Sequence, residues 1–325
     1  MKQLSIIIPL YNCENYICQA IDSVICQKNV DYELIIIDDG STDSSLKKIT
    51  KYGDIVKIIS IPNSGASAAR NVGLRESVGK YVMFLDADDF LNNTSVCSKV
   101  ISVMESHKSQ MGLFSYTYYN NSSGKYTHIK AYPDELTEMV DCNELIYKLV
   151  FSGFFPASPC FRIIERDFII ANELYFKEGT TAEDIEWFTR LLVRIESFCV
   201  INDDSYIYRK SLQSSVTGSS SLLKCTNHSN MISLSAECLN QVKDKRKQTA
   251  LLSALAYQYC ILLSNCYQFV RDKNLVNKIK SLSWLLKYNL FPSVKYVRYI
   301  YNIFGFRVTS FLMCKYSTYF SKSGQ

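Results

Sequence analysis

Short apolar runs, separated by segments with a helical spacing of apolar positions, recur along the first part of the chain. Four such runs span residues 4–10, 34–37, 56–61 and 80–85, and each is followed by polar or turn-forming residues. Runs of this length, rich in isoleucine and valine, are typical of parallel strands that are buried on both faces. The segments at residues 16–27, 44–52 and 64–77 carry the helical spacing and lie between the runs.

This alternation of strands and helices predicts an α/β fold with a doubly wound, mainly parallel sheet flanked by helices. Beyond it, the pattern predicts helices at 93–106, 143–151, 165–172 and 183–195, and strands at 111–119 and 200–208 with a polar hairpin at 120–125. We expect a first domain over 1–217, with a division at about residue 110. Helices at 228–243, 247–270 and 274–288 predict a helical C-terminal region over 218–325.

The composition limits the class of protein. A hydrophobic content of 47% supports a sizeable core, which argues against a disordered chain. The twelve cysteines include no CxxC pair, so we expect reduced thiols and a cytoplasmic protein. The apolar run at the start of the chain stops at Pro9, which is too short for the core of a secretory signal, and we interpret it as a strand.

Charge is unevenly distributed along the chain. The whole chain has a net charge of +5, whereas residues 271–325 contain ten Lys or Arg and one acid, a net charge of +9. Aromatic residues alternate with these basic residues, a combination that suits a helix lying on an anionic membrane surface. The alternatives are a helical subdomain with a solvated basic face, and nucleic-acid binding, which we disfavour because no nucleic-acid module is present.

The segment after the fourth apolar run carries the most informative polar residues. Asp86, Asp88 and Asp89 follow Phe84 and Leu85 directly, so they lie at the carboxyl end of a predicted strand. Ligands bind at that end of the strands in open α/β sheets, and carboxylates there suit Mg²⁺ or Mn²⁺ together with phosphate oxygens. The alternative is a solvated acidic turn.

Two further polar segments follow neighbouring predicted strands. Asp38 and Asp39 precede Gly40, and a carboxylate at this position can accept hydrogen bonds from a nucleotide. Arg70 lies in an Ala-rich helix, where its charge can meet a diphosphate. The GxGxxG pattern of dinucleotide oxidoreductases is absent.

Two segments later in the chain add candidate residues. Glu183 and Asp184 precede an apolar Trp-Phe pair, and although acids are common at helix starts, one of them can act as a general base. Arg209 and Lys210 precede a hydroxyl-rich loop that can close over phosphates, or else form an exposed strand end.

Taken in order, these segments resemble the family 2 nucleotide-sugar glycosyltransferases of the GT-A fold. The matching residues are 5–12, 37–43, Asn63, Gly65, 69–73, 84–89 and 183–184. Each element is weak alone, and the resemblance depends on their order and spacing over roughly the first two hundred residues.

The resemblance implies that residues 1–217 form a GT-A catalytic domain, with a nucleotide-binding half at about 1–110 and an acceptor half at about 111–217. It also implies a role for each matching residue. Pro9, Tyr11 and Asp39 would line the nucleoside pocket with Asn63, and Arg70 would support it. Asp86 would contact the ribose and share with Asp88 the binding of Mn²⁺ or Mg²⁺. Asp184 would be the catalytic base, with Glu183 the second candidate. Arg209 is a further candidate for the nucleotide-sugar site, predicted from the basic pair and not from the resemblance.

The resemblance further implies an inverting transfer of one sugar from a nucleotide donor, UDP-linked in our prediction, to a glycan hydroxyl. The Gln-x-x-Arg-Trp motif of processive synthases is absent, which favours single-sugar transfer. The expected acceptor is a lipid-linked chain of O-antigen, lipopolysaccharide, capsule or exopolysaccharide, and the expected location is the inner face of the cytoplasmic membrane. The alternative functions are a non-catalytic nucleotide-sugar-binding or scaffold protein and, less favoured, a sugar-phosphate nucleotidyltransferase.

Overall fold

The computed structural model describes residues 2–210 and 221–323, and it divides the chain into two compact units. The first unit comprises Met1–Cys142, Ser158–Gly179 and Arg194–Ser215, and the second comprises Asn143–Ala157, Thr180–Val193 and Val216–Gln325. Two segments from the predicted acceptor half therefore group with the C-terminal helices. The hydroxyl-rich loop after Lys210, at residues 211–220, lies outside the described residues. The catalytic domain of 1–217 stays a prediction.

The strands all belong to one sheet among the described residues. They are β1 (Leu4–Leu10), β2 (Tyr32–Asp38), β3 (Lys57–Ser60), β4 (Tyr81–Phe84), β5 (Phe90–Leu91), β6 (Met111–Asn120), β7 (Lys125–His128), β8 (Arg162–Glu165) and β9 (Phe198–Lys210). Their order is β3-β2-β1-β4-β8-β6-β9-β5, with β7 beside β6. The strands β1 to β4 pair in parallel, β8 runs antiparallel to β4 and β6, and β6 and β9 are parallel.

The predicted helices occur in the predicted order, and the structure adds two helices, at residues 134–137 and 292–323. The helices are α1 (Ile17–Ile25), α2 (Ser45–Ile49), α3 (Ala66–Glu76), α4 (Val96–His107), α5 (Asp134–Thr137), α6 (Cys142–Phe151), α7 (Arg166–Ala171), α8 (Glu183–Arg194), α9 (Leu222–Cys238), α10 (Lys245–Asn265), α11 (Lys273–Ser281) and α12 (Pro292–Ser323). The predicted α/β fold with a helical C-terminal region is confirmed.

The strand order places a topological switch point next to β1. The chain passes from β1 to β2 and β3 on one side, and then returns to β4 on the other side of β1. The carboxyl ends of β1, β2 and β4 therefore meet at one edge, where α/β sheets bind ligands. The apolar residues of these strands are almost completely buried, which holds this edge in place.

The small residues of α3 let this helix approach the sheet closely. A Cβ atom at Gly73 would lie 2.3 Å from Cγ2 of Ile7 on β1. Ala69 packs against Ile35 and Ile37 of β2. This close packing fixes the height of α3 above the strand ends, and with it the position of any side chain on its first turns.

The sequence missed two short strands. β5 has two residues, too few to form an apolar run, and β8 has a charged residue at each end with only two apolar residues between them. Residue 165, predicted as the start of a helix, closes β8 instead. The predicted helix 274–288 ends at Ser281 and continues as a 3₁₀ turn over Ser283–Lys287.

The helices of the second unit begin at side-chain caps. Ser221, Asp244 and Asp272 precede α9, α10 and α11, and each side chain accepts a hydrogen bond from a backbone N–H of the first turn. α12 breaks at Gly305, whose φ of +69° is favourable for glycine and costly for other residues. Within the described part of the chain, no helix combines the length and apolar character that a membrane crossing requires.

Candidate active site

The acidic segment after β4 forms a tight turn at the switch-point edge. The backbone N–H of Asp89 donates to the carbonyl of Asp86 at 3.1 Å. Asp89 itself is buried, and its carboxylate accepts hydrogen bonds from the Tyr206 hydroxyl (2.6 Å) and the Arg209 backbone N–H (2.8 Å). Burial, followed by the charges of Asp88 and Asp86, raises the pKa of Asp89 well above its usual value. Asp89 therefore holds the turn from inside the protein.

Asp86 and Asp88 are the two partly exposed carboxylates of this turn. Oδ1 of Asp86 accepts a hydrogen bond from Nη2 of Arg70 at 2.9 Å. Burial, followed by the charge of Asp86, raises the pKa of Asp88 to about 6. Carboxylates that repel each other in this way favour a cation between or beside them.

This pair fits a metal site that is completed by substrate. Among the described residues, no group of three or more His, Cys, Asp or Glu side chains is arranged to hold a metal ion. Mg²⁺ commonly binds one or two carboxylates together with phosphate oxygens, and Asp88 with Asp86 provides that number. The carboxylate oxygens of Asp86 and Asp88 thus fit Mg²⁺ or Mn²⁺ when a diphosphate supplies the remaining oxygen ligands.

Asp39 ties the end of β2 to the start of α3. Its two carboxylate oxygens accept hydrogen bonds from the backbone N–H groups of Ser64 (2.7 Å) and Gly65 (2.8 Å). Gly65 has a φ of +91°, which directs its N–H toward this carboxylate. The neighbouring Asp38 accepts a hydrogen bond from the N–H of Ser41. The sequence suggested a ligand for Asp39 and did not reveal these backbone partners.

The loop after β1 is joined to the loop after β2. Oδ1 of Asn12 accepts a hydrogen bond from the N–H of Thr42 at 2.8 Å, and the N–H of Asn12 donates to Oγ of Ser41 at 3.1 Å. Tyr11, between Leu10 and Asn12, leaves 49% of its surface exposed. Pro9 is partly buried and Asn63 is exposed. The ring of Tyr11 is thus available to a ligand at the switch-point edge.

Arg70 links α3 to the acidic segment. It is 7% exposed, and besides Asp86 it contacts the ring of Phe176, with the guanidinium carbon 5.5 Å from the ring centre. Because its charge offsets that of Asp86, Arg70 helps to keep the two carboxylates of the turn close together. The structure thus brings together two of the residues predicted from separate motifs.

Arg209 packs against the acidic turn with its guanidinium inside the protein. Its nitrogen atoms donate to the Asp88 carbonyl (2.7 Å), to Asn121 (2.9 Å) and to Gln19 (2.7 Å). Three aromatic rings, of Tyr16, Phe90 and Tyr119, lie within 5.3 Å of the guanidinium carbon. This placement is that of a positioning residue for the turn, and direct contact of Arg209 with a nucleotide sugar stays a prediction.

Glu183 and Asp184 open helix α8 in the second unit. The residue before them, Ala182, has a φ of +63°, a strained conformation of the kind that often marks functional sites. The third acid of this segment, Glu186, forms an ion pair with Arg190 one turn later, with Oε1 2.6 Å from Nε. The ion pair with Arg190 gives Glu186 a structural role. Glu186 is therefore not a candidate for the base, unlike Glu183 and Asp184.

Tyr206 is the residue of this region that the sequence did not identify. In the sequence, this segment is distinguished only by the basic pair Arg209 and Lys210. The structure shows that the buried hydroxyl of Tyr206 donates a hydrogen bond to Asp89. The signal was available, since a fully buried tyrosine normally needs a partner for its hydroxyl.

Residues 5–171 match the glycosyl transferase family 2, and the chain belongs to that family. One curated relative is the glycosyltransferase GlyA of Streptococcus pneumoniae, 28% identical over 213 residues that cover 64% of this chain and 30% of that protein. Three other curated relatives are covered over 20%, 21% and 44% of their lengths, so the chain spans a minor part of each of these four proteins.

Solved structures show the same fold. Residues 1–349 of Staphylococcus aureus TarS, crystallised with UDP-GlcNAc, superpose with a TM-score of 0.72 at 19% identity, covering 99% of this chain and 92% of that one. The mannosyltransferase PcManGT of Pyrobaculum calidifontis, in complex with GDP-Man and Mn²⁺, gives a TM-score of 0.52 at 11% identity, covering 97% and 88%. The predicted family and the GT-A fold are confirmed.

Proposed function

We propose that the protein is an inverting glycosyltransferase, which moves one sugar from a UDP-linked donor to a hydroxyl of a growing cell-surface glycan. The observation that carries this proposal is the pair Asp86 and Asp88 on a buried turn at the switch-point edge. Membership of family 2 supports the reaction class. The UDP-GlcNAc bound by TarS, a protein of the same fold, supports the choice of UDP.

In this proposal the first unit binds the donor. Tyr11 stacks on the base, Asp39 and Asn63 face the nucleoside, and Asp86 contacts the ribose. Asp88, with Asp86, would hold Mn²⁺ or Mg²⁺, as the Mn²⁺ and GDP-Man of PcManGT suggest by analogy. A divalent cation, when bound, offsets the charge that develops on the departing diphosphate. Arg70 and Arg209 position the acidic turn through the contacts described above.

The proposed base is Asp184, in the first turn of α8. Asp184 removes the proton from the acceptor hydroxyl while its oxygen attacks the anomeric carbon on the face opposite the diphosphate. One displacement on an α-linked donor gives a β-glycoside. Glu183 is the second candidate for the same role, because it occupies the same first turn of α8.

The proposed acceptor is a glycan on a polyprenyl carrier at the inner face of the cytoplasmic membrane, for O-antigen, capsule or exopolysaccharide assembly. The exposed face of α12 supports this location. Tyr296, Tyr299 and Ile303 are more than half exposed and lie at helical spacing beside Lys295 and Arg298. Such a face suits an anionic lipid surface.

The test is release of the nucleotide from a panel of UDP-, GDP-, dTDP- and CMP-linked sugars, with Mn²⁺ and with a chelator. We expect UDP release from one or a few UDP-sugars in the presence of Mn²⁺, and its loss with the chelator. A folded protein that binds and hydrolyses no donor would overturn the proposal, and would favour a scaffold role in a biosynthetic complex.

A further inference from the structure

Aromatic side chains cover one face of the paired strands β6 and β9. The register aligns Tyr116 with Tyr206 and Tyr118 with Tyr208, so these four side chains lie on the same face. Phe161, just before β8, joins them, and its ring stacks on Tyr116 with ring centres 4.0 Å apart and 11° between the planes. We call these five residues the aromatic cluster.

The cluster combines apolar ring surface with polar groups. Tyr118 meets Tyr208 edge to face at 5.7 Å between ring centres, and the hydroxyls of Tyr116 and Tyr118 are 3.1 Å apart. The ammonium group of Lys210 lies 3.2 Å from the ring centre of Tyr118. Tyr206 and Phe161 are buried, whereas Tyr116, Tyr118 and Tyr208 remain partly exposed in the complete chain.

The cluster is continuous with the acidic turn. Tyr206 donates its hydroxyl hydrogen bond to Asp89 and packs edge to face on Phe161, with ring centres 5.1 Å apart. The backbone N–H of Asp86 points to the Tyr206 hydroxyl at 3.5 Å. The chain of contacts therefore runs from Asp86 and Asp89 to the partly exposed rings without leaving the first unit.

Packing in the core explains why Tyr206 and Phe161 are aromatic. It does not explain why the three partly exposed members of the cluster are tyrosines. A core position would favour phenylalanine, because each buried hydroxyl needs a partner. Tyr116, Tyr118 and Tyr208 instead present hydroxyls and ring edges together at a partly exposed surface. A pyranose ring matches this combination, since it carries one face of C–H groups and a rim of hydroxyls.

We propose that the aromatic cluster is the acceptor subsite, where Tyr118 and Tyr208 bind a pyranose ring of the acceptor glycan and Lys210 donates to one of its oxygens. This inference rests on the proposed function, because it assumes a sugar donor at the adjacent acidic turn. It adds that recognition of the acceptor occurs through a sugar ring of the glycan, on the first unit.

The test measures binding of methyl β-D-glucopyranoside, methyl β-D-galactopyranoside and methyl N-acetyl-β-D-glucosaminide by saturation-transfer NMR, with saturating UDP present. We expect Tyr118→Ala and Tyr208→Ala each to weaken pyranoside binding by several-fold to about tenfold, as loss of an aromatic contact predicts. Tyr118→Phe retains the ring and is expected to lose less than Tyr118→Ala.

Tyr126→Ala is the matched control. Tyr126 lies on β7, is 49% exposed and packs on Tyr119, on the face of the sheet opposite the aromatic cluster, so this variant is expected to bind pyranosides like the wild type. Affinity for UDP, measured on every variant, reports whether the first unit is folded.

The outcomes separate this inference from the proposed function. A wild type that binds neither UDP nor a UDP-sugar contradicts both. A wild type that binds UDP but none of the three pyranosides, or folded Tyr118 and Tyr208 variants with wild-type pyranoside affinity, overturns the acceptor subsite and leaves donor binding intact.

Discussion

Asp88 and Asp89 are neighbours in the chain, yet their carboxylates have different surroundings. Asp89 is fixed by Tyr206 and by the backbone of Arg209, whereas Asp88 is partly exposed and carries a pKa raised to about 6. Their position after a buried strand was enough to predict that these acids lie at the ligand-binding edge of the sheet. It was not enough to separate their roles, because the partners of Asp89 lie 117 and 120 residues away in the sequence.

Replacing the proposed metal ligand and the proposed base should have different effects on donor binding. We expect Asp88→Ala and Asp184→Asn each to reduce transfer by at least about a hundredfold, the usual contribution of such groups. Asp88→Ala should also weaken Mn²⁺-dependent UDP binding, measured by calorimetry, and Asp184→Asn should not. Near-normal transfer by either variant would contradict the role assigned to that residue.

Arg209 should matter for the stability of the first unit. Arg209→Met removes a buried guanidinium group together with its hydrogen bonds to the Asp88 carbonyl, Asn121 and Gln19, so we expect the free energy of unfolding to fall by about 1–3 kcal/mol. Denaturant unfolding measures this change.

The matched control for Arg209 is the next residue in the chain. Lys210 is exposed, and Lys210→Met should change the free energy of unfolding by no more than about 0.5 kcal/mol. Equal stability of the two variants would show that the buried contacts of Arg209 are not important for folding.

His228 should make the second unit sensitive to mild acid. Burial lowers its pKa from 6.5 to about 4, and a hydrogen bond with Gln258 opposes this shift only in part. Between these two pKa values the unfolded chain binds a proton that the folded chain does not, so stability falls as the pH decreases. From about pH 7 to about pH 5, His228 alone contributes a loss of about 2 kcal/mol in the free energy of unfolding.

The measurement is denaturant unfolding at these two pH values, for the wild type and for His228→Gln. The variant should lose most of this pH dependence. His107→Gln, at an exposed histidine, is the matched control and should behave like the wild type. A His228→Gln variant with the wild-type pH dependence would contradict the buried neutral imidazole.

At the scale of the elements, length decided what the sequence could predict. Strands β1 and β2 are long enough to form distinct apolar runs, and the longer helices show the helical spacing of apolar positions. The burial of their apolar residues agrees with both patterns. β5 and β8 are held by their neighbours in the sheet, so their conformation is set by tertiary contacts.

Helix α12 tests the membrane proposal at this scale. Deleting the helix would disturb the core, since Val294, Val297 and Phe306 are buried. Charge reversal on the exposed face leaves these buried contacts in place and is therefore a more specific test than deletion. Lys295→Glu with Arg298→Glu should weaken binding to phosphatidylglycerol-containing vesicles by tenfold or more. Each basic residue near such a surface contributes about 1 kcal/mol.

The control pair for α12 is Lys47→Glu with Lys130→Glu, which changes the net charge equally at exposed sites of the first unit. This pair should retain vesicle binding in a co-sedimentation assay. Equal loss in both pairs would indicate an effect of net charge alone, and no loss in the α12 pair would contradict the membrane-facing role.

At the scale of the whole molecule, the predicted site residues are divided between two units. The predicted donor residues belong to the first unit, and Glu183 and Asp184 belong to the second, together with segments that are distant in sequence. Local patterns found both sets, because each follows a recognisable element. They could not show that residues 143–157 and 180–193 group with the C-terminal helices, since that grouping depends on contacts between segments far apart along the chain.

The bonds of Asp39 and Asn12 have a consequence for how fast and how tightly a donor binds. Because these side chains join the three loops at the switch-point edge, the loops are ordered before a nucleotide arrives. Binding then sacrifices little backbone entropy, and more of the contact energy is retained as affinity. Association should follow a single exponential, without a slow rearrangement of these loops, and the nucleotide should leave a pocket that keeps its shape.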